Sequence, residues 1–366
     1  TVEEITVDRS GNVYVGGLFR AIGGVTANYI AKWDGAAWSA LGSGTGGVNG
    51  YYVSDIVVDD SENVYAGGFF LSMGGISANR IAKWDGVAWS TCGSGTGASG
   101  SIYALTKDTA GNLYAGGAFY GLGGAEANSI GKWNDWEGAA LGSGLNSAAL
   151  SVAVDNAGNV YAGGYFTTAG GVSANHIAKW DGAAWTAPAG GVNNIVRALA
   201  KDSAGNIYAG GSFTTAGEVS ASRIAKWDGA AWTPLGAGVN NAVTSIVTDD
   251  AGGLYAGGYF TTAGGVSANR IAKWDGAAWT PLGDGLDGTV WSLVLDHAGN
   301  LYAGGSFTAA GGVPANNIAK WDGTAWTPLG GGITHTSTVY VNALQTDSAG
   351  NLYAGGSFTA AGGVPA

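Results

Sequence analysis

Short apolar runs separated by glycine-rich turns make up the whole chain, and the stretch from Val196 to Val239 shows the pattern clearly. Val196 to Lys201 predicts a first strand, A. The turn Asp202–Asn206 follows, where the aspartate can accept hydrogen bonds from backbone amides. Ile207 to Phe213 predicts strand B. The glycine pair near its end, Gly210 and Gly211, lets another backbone approach closely.

The second half of the same stretch predicts two further strands after a loop over Thr214 to Ser222. Arg223 to Trp227 predicts strand C. Asp228-Gly229 is a strong hairpin signal, and Trp232 to Leu235 predicts strand D. The unit therefore encodes four short antiparallel strands.

Near-copies of this unit fill the chain. The phrase Tyr-Ala-Gly-Gly, once Tyr-Val-Gly-Gly, recurs at intervals of 47 to 51 residues, beginning at Tyr14, Tyr65, Tyr114, Tyr161, Tyr208, Tyr255, Tyr302 and Tyr353. The phrase Lys-Trp-Asp-Gly begins at Lys32, Lys83, Lys179, Lys226, Lys273 and Lys320, and at Lys132 it becomes Lys-Trp-Asn-Asp. Residues 1–366 are thus predicted to be one domain of seven and a half repeats.

Four antiparallel strands per repeat predict an all-β fold, a β-propeller of four-stranded blades. A β-solenoid would also show a fixed period, but common solenoid coils are shorter. Eight A–B hairpins against seven C–D hairpins favour eight blades with an incomplete last one. Seven blades with a spare hairpin are the alternative. We expect a segment like Asn-x-Ile-Ala-Lys-Trp-Asp-Gly to follow Ala366 and complete the eighth blade.

The repeat resembles the kelch repeat in its strand B ending in Gly-Gly, its aromatic-Asp turn after strand C, and its Trp-x-x-Leu strand D. The segment Asp-x-x-Gly-Asn-x-Tyr is similar to repeats of bacterial secreted and surface-anchored propellers. This resemblance implies an extracellular or cell-surface location. One kelch-like group oxidises substrates with copper held by Tyr and His beside a cross-linked Cys. Only His176, His297 and His335 are present, and Cys92 lacks that context, so this chemistry is not expected.

The net charge and the apolar content of the chain limit the classes of partner that it can bind. The net charge of −11 argues against nucleic acid, because phosphate binding requires a basic surface. No run of 18 apolar residues predicts membrane insertion. The single cysteine, Cys92, leaves no partner for a disulfide within the chain and is expected to be a small buried apolar side chain. No cofactor or metal is expected.

Two features repeat in nearly every unit and are interpreted as structural. Paired tryptophans lie on the same face of each predicted C–D hairpin and are expected to pack between blades, at Trp33/Trp38, Trp84/Trp89, Trp180/Trp185, Trp227/Trp232, Trp274/Trp279 and Trp321/Trp326. An aspartate opens each A–B turn, at Asp8, Asp59, Asp108, Asp155, Asp202, Asp249, Asp296 and Asp347. One Asp per turn cannot supply the six to eight oxygens that calcium needs, so a turn-forming role is expected.

Positions that differ between the copies are the candidate ligand contacts. Five residues before each turn aspartate, the eight residues all differ: Glu3, Ser54, Tyr103, Leu150, Arg197, Thr244, Trp291 and Asn342. A second variable position opens strand C: Tyr29, Arg80, Ser129, His176, Arg223, Arg270 and Asn317. Because antiparallel strands alternate direction, both positions are predicted to lie at the same end of every blade. Neutral drift at exposed positions would also explain the variation.

No hydrolase triad or phosphate-binding loop is present in the sequence. The leading hypothesis is therefore a non-catalytic, secreted or surface-displayed propeller that is structural or binds a protein or a glycan, with assembly of several chains possible. A multivalent lectin is one alternative. Another is a glycan-active enzyme at the channel mouth that uses Glu3 or Glu4 with Asp55 as acid and base.

Overall fold

The computed structural model describes residues 1–46, 51–92, 100–121, 127–134, 137–334 and 339–365. Contacts divide the chain into two compact units. Unit 1 comprises Thr1–Ala174 and Ala178–Ala187, and unit 2 comprises Asn175–Ile177 and Pro188–Ala366.

Four-stranded antiparallel sheets with the strand order A–B–C–D succeed one another in both units, and they are numbered as blades in chain order. Strands A span Val2–Val7, Tyr52–Val58, Ser101–Lys107, Ala149–Val154, Val196–Lys201, Val243–Thr248, Thr289–Leu295 and Tyr340–Thr346. Strands B span Val13–Gly17, Val64–Phe69, Leu113–Ala118, Val160–Gly164, Ile207–Gly211, Leu254–Gly258, Leu301–Ser306 and Leu352–Ser357.

The outer two strands complete seven of these sheets in the described residues. Strands C span Ile30–Trp33, Ile81–Trp84, Ile130–Asn134, Ile177–Trp180, Ile224–Trp227, Ile271–Trp274 and Ile318–Trp321. Strands D span Trp38–Ala40, Trp89–Thr91, Glu137–Ala140, Trp185–Thr186, Trp232–Pro234, Trp279–Pro281 and Trp326–Pro328. The eighth sheet contains strands A and B. The fold class is the predicted all-β propeller of four-stranded blades, while the choice between eight and seven blades stays a prediction.

The predicted B–C loop is more ordered than the sequence indicated, because it contains a miniature hairpin. In blade 5 the strands Thr215–Ala216 and Val219–Ser220 pair across a tight turn. Equivalent pairs are Ala21–Ile22 with Val25–Thr26, Ser72–Met73 with Ile76–Ser77, Thr168–Ala169 with Val172–Ser173, Thr262–Ala263 with Val266–Ser267, Ala309–Ala310 with Val313–Pro314, and Ala360–Ala361 with Val364–Pro365. Two-residue strands are too short to produce a recognisable alternation, so the pattern predicted only a loop.

Three further short elements lie in the D–A connections. Thr45–Gly46 pairs with Ser72–Met73, and Ile333–Thr334 pairs with Ala360–Ala361, so each links one blade to the miniature hairpin of the next. Pro188–Gly190 forms a single 3₁₀ turn directly after strand D of blade 4.

Within each unit, strand A of one blade packs against strand A of the next, and strand B is almost fully buried. The first glycine of each pair makes this packing possible. A Cβ added to Gly257 would lie 2.5 Å from the Cγ1 of Val290, in strand A of the following blade. At this first glycine a side chain makes the close approach; the backbone approach that the sequence predicts occurs at the second glycine, where a Cβ on Gly258 would lie 2.2 Å from the carbonyl oxygen of Ala242.

The tryptophan pairs pack between blades, as predicted. The two members of each pair face one another across the C–D hairpin, with ring centroids 5.4 to 5.6 Å apart. In blades 2, 4, 5, 6 and 7 the second indole donates its Nε1–H to a backbone carbonyl of the preceding blade, at 2.6 to 2.8 Å. These contacts tie successive blades together within a unit.

The described residues contain no helix long and apolar enough to cross a membrane.

Candidate functional site

The first variable position of the sequence is the extra residue of a β-bulge. In each of the eight A–B ladders the pairing register shifts by one residue there, for example between Val243 and Ser245, which leaves Thr244 without a partner on strand B. The second glycine of the pair accommodates this bulge: a Cβ on Gly258 would lie 2.2 Å from the carbonyl oxygen of Ala242. We call the bulge residues of a unit, with their immediate neighbours, its bulge surface.

Side chains at the bulge differ in exposure as well as in chemistry. Tyr103 is 37% exposed and Trp291 is 36% exposed, and Arg197 also faces solvent. Half-buried members are Glu3, Ser54, Leu150, Thr244 and Asn342. The two hydroxyl residues bond to the next blade, because the Oγ of Ser54 donates to Ile102 O at 2.6 Å and the Oγ1 of Thr244 donates to Val290 O at 2.6 Å.

The second variable position does not belong to strand C, as the sequence suggested, but precedes it in a left-handed backbone conformation. The seven residues Tyr29, Arg80, Ser129, His176, Arg223, Arg270 and Asn317 have φ between 61° and 73°. In blade 6 the amide of Arg270 donates to Phe260 O at 2.7 Å, and its carbonyl accepts from the amide of Gly258 at 2.9 Å. This pair of bonds fixes a sharp turn that ends the ladder, so strand C starts one residue later.

Burial separates the members of this second set. Tyr29, Arg80, Ser129 and Asn317 are buried, and His176, Arg223 and Arg270 are half-buried. The side-chain Nδ2 of Asn317 donates to Ile333 O at 3.1 Å. The arginines reach back over the end of strand B, where the Nη1 of Arg223 bonds Ser212 O and the Nη1 of Arg270 bonds Tyr259 O.

A third variable position was missed by the sequence reasoning. It follows each glycine pair, and its occupants are Leu18, Phe69, Ala118, Tyr165, Ser212, Tyr259, Ser306 and Ser357. The residue pairs with the entry of strand A, as Phe69 does with Tyr52. The same comparison between copies that found the other two positions would have revealed it. Within each blade all three positions lie at one end, as the alternation of strand direction predicted.

In unit 1 the bulge surface concentrates aromatic rings around one arginine. The guanidinium of Arg80 lies 4.1 Å from the ring centroid of Phe69, and the ring of Tyr52 stacks on Phe69 at 6.1 Å. A cavity of about 360 Å³ beside this stack is lined by Glu3, Leu18, Tyr52 and Ser54. Burial raises the pKa of Tyr52. The arrangement offers an aromatic platform flanked by a carboxylate and a hydroxyl.

In unit 2 a similar group forms around Arg270. The rings of Tyr259 and Trp291 meet edge to face, with centroids 5.3 Å apart. Arg270 also lines a cavity of about 350 Å³, together with Asp284 and Asp287. Asp287 is engaged elsewhere, since it accepts from the amide of Thr308 at 2.7 Å. The bulge surface of unit 2 therefore also combines aromatic rings, those of Tyr259 and Trp291, with the guanidinium of Arg270.

Two carboxyl groups, those of Glu4 and Asp55, directly follow the bulge residues of blades 1 and 2. Asp55 accepts from the amide of Leu105 in the next blade at 2.6 Å and from the amide of Ile56 at 2.7 Å. Burial raises the pKa of Asp55 to about 7, and burial and the neighbouring Asp55 raise the pKa of Glu4 well above its usual range. Ser245 and Ser292 take the equivalent position in unit 2 and accept the same inter-blade amide bond. The position is therefore used to join strands A.

The opposite end of each blade carries the repeated aspartates, and their turn-forming role is confirmed. In blade 1 Asp8 accepts from the amide of Asn12 at 2.8 Å, from its side-chain Nδ2 at 2.7 Å and from the hydroxyl of Tyr14 at 3.1 Å. Among the described residues, no group of three or more His, Cys, Asp or Glu side chains is placed to hold a metal.

Cys92 is buried, as expected, and burial raises the pKa of its thiol to about 12. His176 and His297 lie on different blades, and His335 lies outside the described residues.

Comparison with known proteins gives distant β-propeller likenesses. The WD40 β-propeller domain of Doa1 aligns over 84% of this chain and 90% of its own length, with 15% identity and a TM-score of 0.49. YCF48 bound to D1 peptide aligns over 87% and 91%, with 10% identity and a TM-score of 0.48. The extracellular domain of a hybrid two-component system from B. thetaiotaomicron aligns over 97% of this chain and 50% of its own length, with 13% identity and a TM-score of 0.44.

No protein-family model matches the chain, and no curated protein matches it. All three TM-scores are below 0.5, so these likenesses carry no functional argument. The fold class is shown by the repeated four-stranded antiparallel sheets.

Proposed function

We propose that the chain is a non-catalytic, kelch-like binding module, secreted or displayed at a cell surface, that recognises a protein ligand through its bulge surfaces. One observation carries the proposal: every bulge places a different side chain on an otherwise repeated frame. Trp, Tyr and Arg supply most of the binding energy at protein interfaces, and all three occur at the bulges. A glycan ligand is the alternative occupant of the same surface.

The proposed absence of catalysis rests on the carboxyl pair that an enzyme would have needed. The bond from the amide of Leu105 holds Asp55 between the strands A of blades 2 and 3, and Ser245 and Ser292 accept the same bond in other blades. A group with this structural use in several blades needs no catalytic role to explain its presence.

Panning a random peptide library displayed on phage against the folded protein tests the binding role. The test variant is the double replacement Tyr103→Ala/Trp291→Ala, which truncates two aromatic bulge residues. The control variant is Val87→Ala, which truncates a side chain that is 85% exposed at the opposite end of its blade. We expect enriched peptides to bind wild type and Val87→Ala alike, and the aromatic double variant at least tenfold more weakly. Enriched peptides that bind all three proteins equally would contradict the proposal.

A further inference from the structure

The same four-residue arrangement occurs once in each unit. In unit 1 it consists of Arg80, Phe69 and Ser54 of blade 2 with Tyr103 of blade 3, and we call it the blade-2 cluster. In unit 2 it consists of Arg270, Tyr259 and Thr244 of blade 6 with Trp291 of blade 7, the blade-6 cluster. Each cluster thus has a left-handed arginine, an aromatic residue after the glycine pair, a bulge hydroxyl, and an aromatic bulge in the next blade.

The bulge hydroxyls of the two clusters make the same hydrogen bonds. Ser54 donates to Ile102 O at 2.6 Å and lies 3.2 Å from Gly67 O. Thr244 donates to Val290 O at 2.6 Å and lies 3.2 Å from Gly257 O. No other blade with a described strand C combines arginine with an aromatic residue after the glycine pair.

Arg80 and Arg270 have a left-handed backbone conformation, which favours glycine over any residue with a side chain. The left-handed backbone conformation is unfavourable for residues other than glycine. Glycine would remove this cost, and the chain has 69 glycines, yet none of the seven left-handed positions before strand C is glycine. Such strain is a reason to look for a function.

Neither arginine has an ion-pair partner within the part of the chain that the structure describes, since the ion pairs there involve Arg9, Lys107 and Lys273. Asp284 and Asp287 line the same cavity as Arg270 without pairing with it. Arg80 is 8% exposed, and among the described residues its Nε and Nη1 atoms have no hydrogen-bond partner. A buried guanidinium that has an aromatic ring beside it but no ion pair is costly, and a carboxylate matches its planar array of N–H donors.

We propose that the blade-2 and blade-6 clusters are two equivalent sites, each of which takes a carboxylate side chain of an acidic peptide segment. The guanidinium binds the carboxylate, and the exposed faces of Tyr103 and Trp291 contact the flanking part of the peptide. At the blade-2 site the side chains that cover Arg80 must move aside for the carboxylate to reach it. The inference rests on the proposed binding role and adds the ligand chemistry and the number of sites.

Calorimetric titration with an acetylated tetraglutamate peptide tests it, with acetylated tetraglutamine as the uncharged probe. We expect tetraglutamate to bind with two sites per chain and tetraglutamine at least tenfold more weakly. Arg80→Gly and Arg270→Gly should each remove one site, and together both. Glycine is the preferred replacement because it adopts φ of 73° and 65° without strain, so the variants are expected to fold.

Arg9→Gly is the control for loss of a positive charge, because Arg9 lies in the A–B turn of blade 1, at the end opposite the bulges, where it pairs with Asp60 at 2.9 Å. It should keep both sites. Equal binding of the two peptides, or unchanged binding in the Arg80/Arg270 double variant, would overturn the inference. If panning yields peptides that depend on Tyr103 and Trp291 while tetraglutamate does not bind, the binding role stands and the acidic ligand class is wrong.

Discussion

The two tryptophans of blade 5 provide a sharp test of what holds neighbouring blades together. Trp227 and Trp232 are each 6% exposed, and their ring centroids are 5.4 Å apart. They differ in one respect. Trp232 donates its Nε1–H to Pro188 O at 2.8 Å, whereas the buried Nε1 of Trp227 has no hydrogen-bond partner in the residues that the structure describes. Replacing either tryptophan by phenylalanine therefore removes a similar volume. At Trp232 the replacement also removes a hydrogen-bonded N–H donor, and at Trp227 it removes an N–H donor that has no bond.

The expected difference in stability follows from those two polar groups. Trp232→Phe leaves the carbonyl of Pro188 without its donor, which adds about 1–3 kcal/mol to the cost of the lost ring. Trp227→Phe removes an unsatisfied donor and recovers a similar amount. Trp232→Phe should therefore be less stable than Trp227→Phe by about 2–6 kcal/mol, while either alanine variant should cost about 3–5 kcal/mol in packing.

Urea-induced unfolding followed by fluorescence measures the difference, through the midpoints of variants that share one slope. The double phenylalanine variant shows whether the two costs add. Equal midpoints for the two single variants would show that volume alone decides their contribution. The reverse order, with Trp227→Phe the less stable variant, would refute the role assigned to the bond between blades.

Three further outcomes follow from the structure. Gly257→Ala should destabilise by about 1–3 kcal/mol because its Cβ would meet Val290, and by less in a Val290→Ala background, as measured by a double-mutant cycle in urea. Because burial raises the folded-state pKa of Asp55 to about 7, the folded state binds the extra proton and stability should fall as pH rises from about 4 to above 7; Asp55→Asn should flatten that fall in a melting-temperature series. Cys92 should resist alkylation at pH 8 in the folded protein and react in urea, because burial raises its thiol pKa to about 12; rapid alkylation of the folded protein would contradict its burial.

The blades were predictable because their signals are local. Asp202 bonds the amide and side chain of Asn206 only four residues away, and the Asp228 turn closes between two facing tryptophans. Repetition then supplied the number of strands per blade. The alternating direction of antiparallel strands was enough to predict that the variable residues lie at one end of each blade.

Other features could not be inferred because they depend on contacts between distant residues. The bulge at Thr244 forms where strand A meets the second glycine of strand B, and no residue type at Thr244 itself signals it. The left-handed state of Arg270 is fixed by bonds to Phe260 and Gly258, although arginine has no intrinsic preference for it. The constellation around Arg270 therefore became recognisable only when three chain segments were brought together.

The bulge also explains how near-copies could diverge at one position without losing the fold. A residue in regular register must match its partners on both neighbouring strands, so each replacement there alters the packing. Thr244 is the extra residue of its ladder, while Val243 and Ser245 on either side remain paired with strand B. Replacement at the bulge leaves those pairs in place. The frame is thus preserved by the paired residues, and selection for binding can act on the unpaired one.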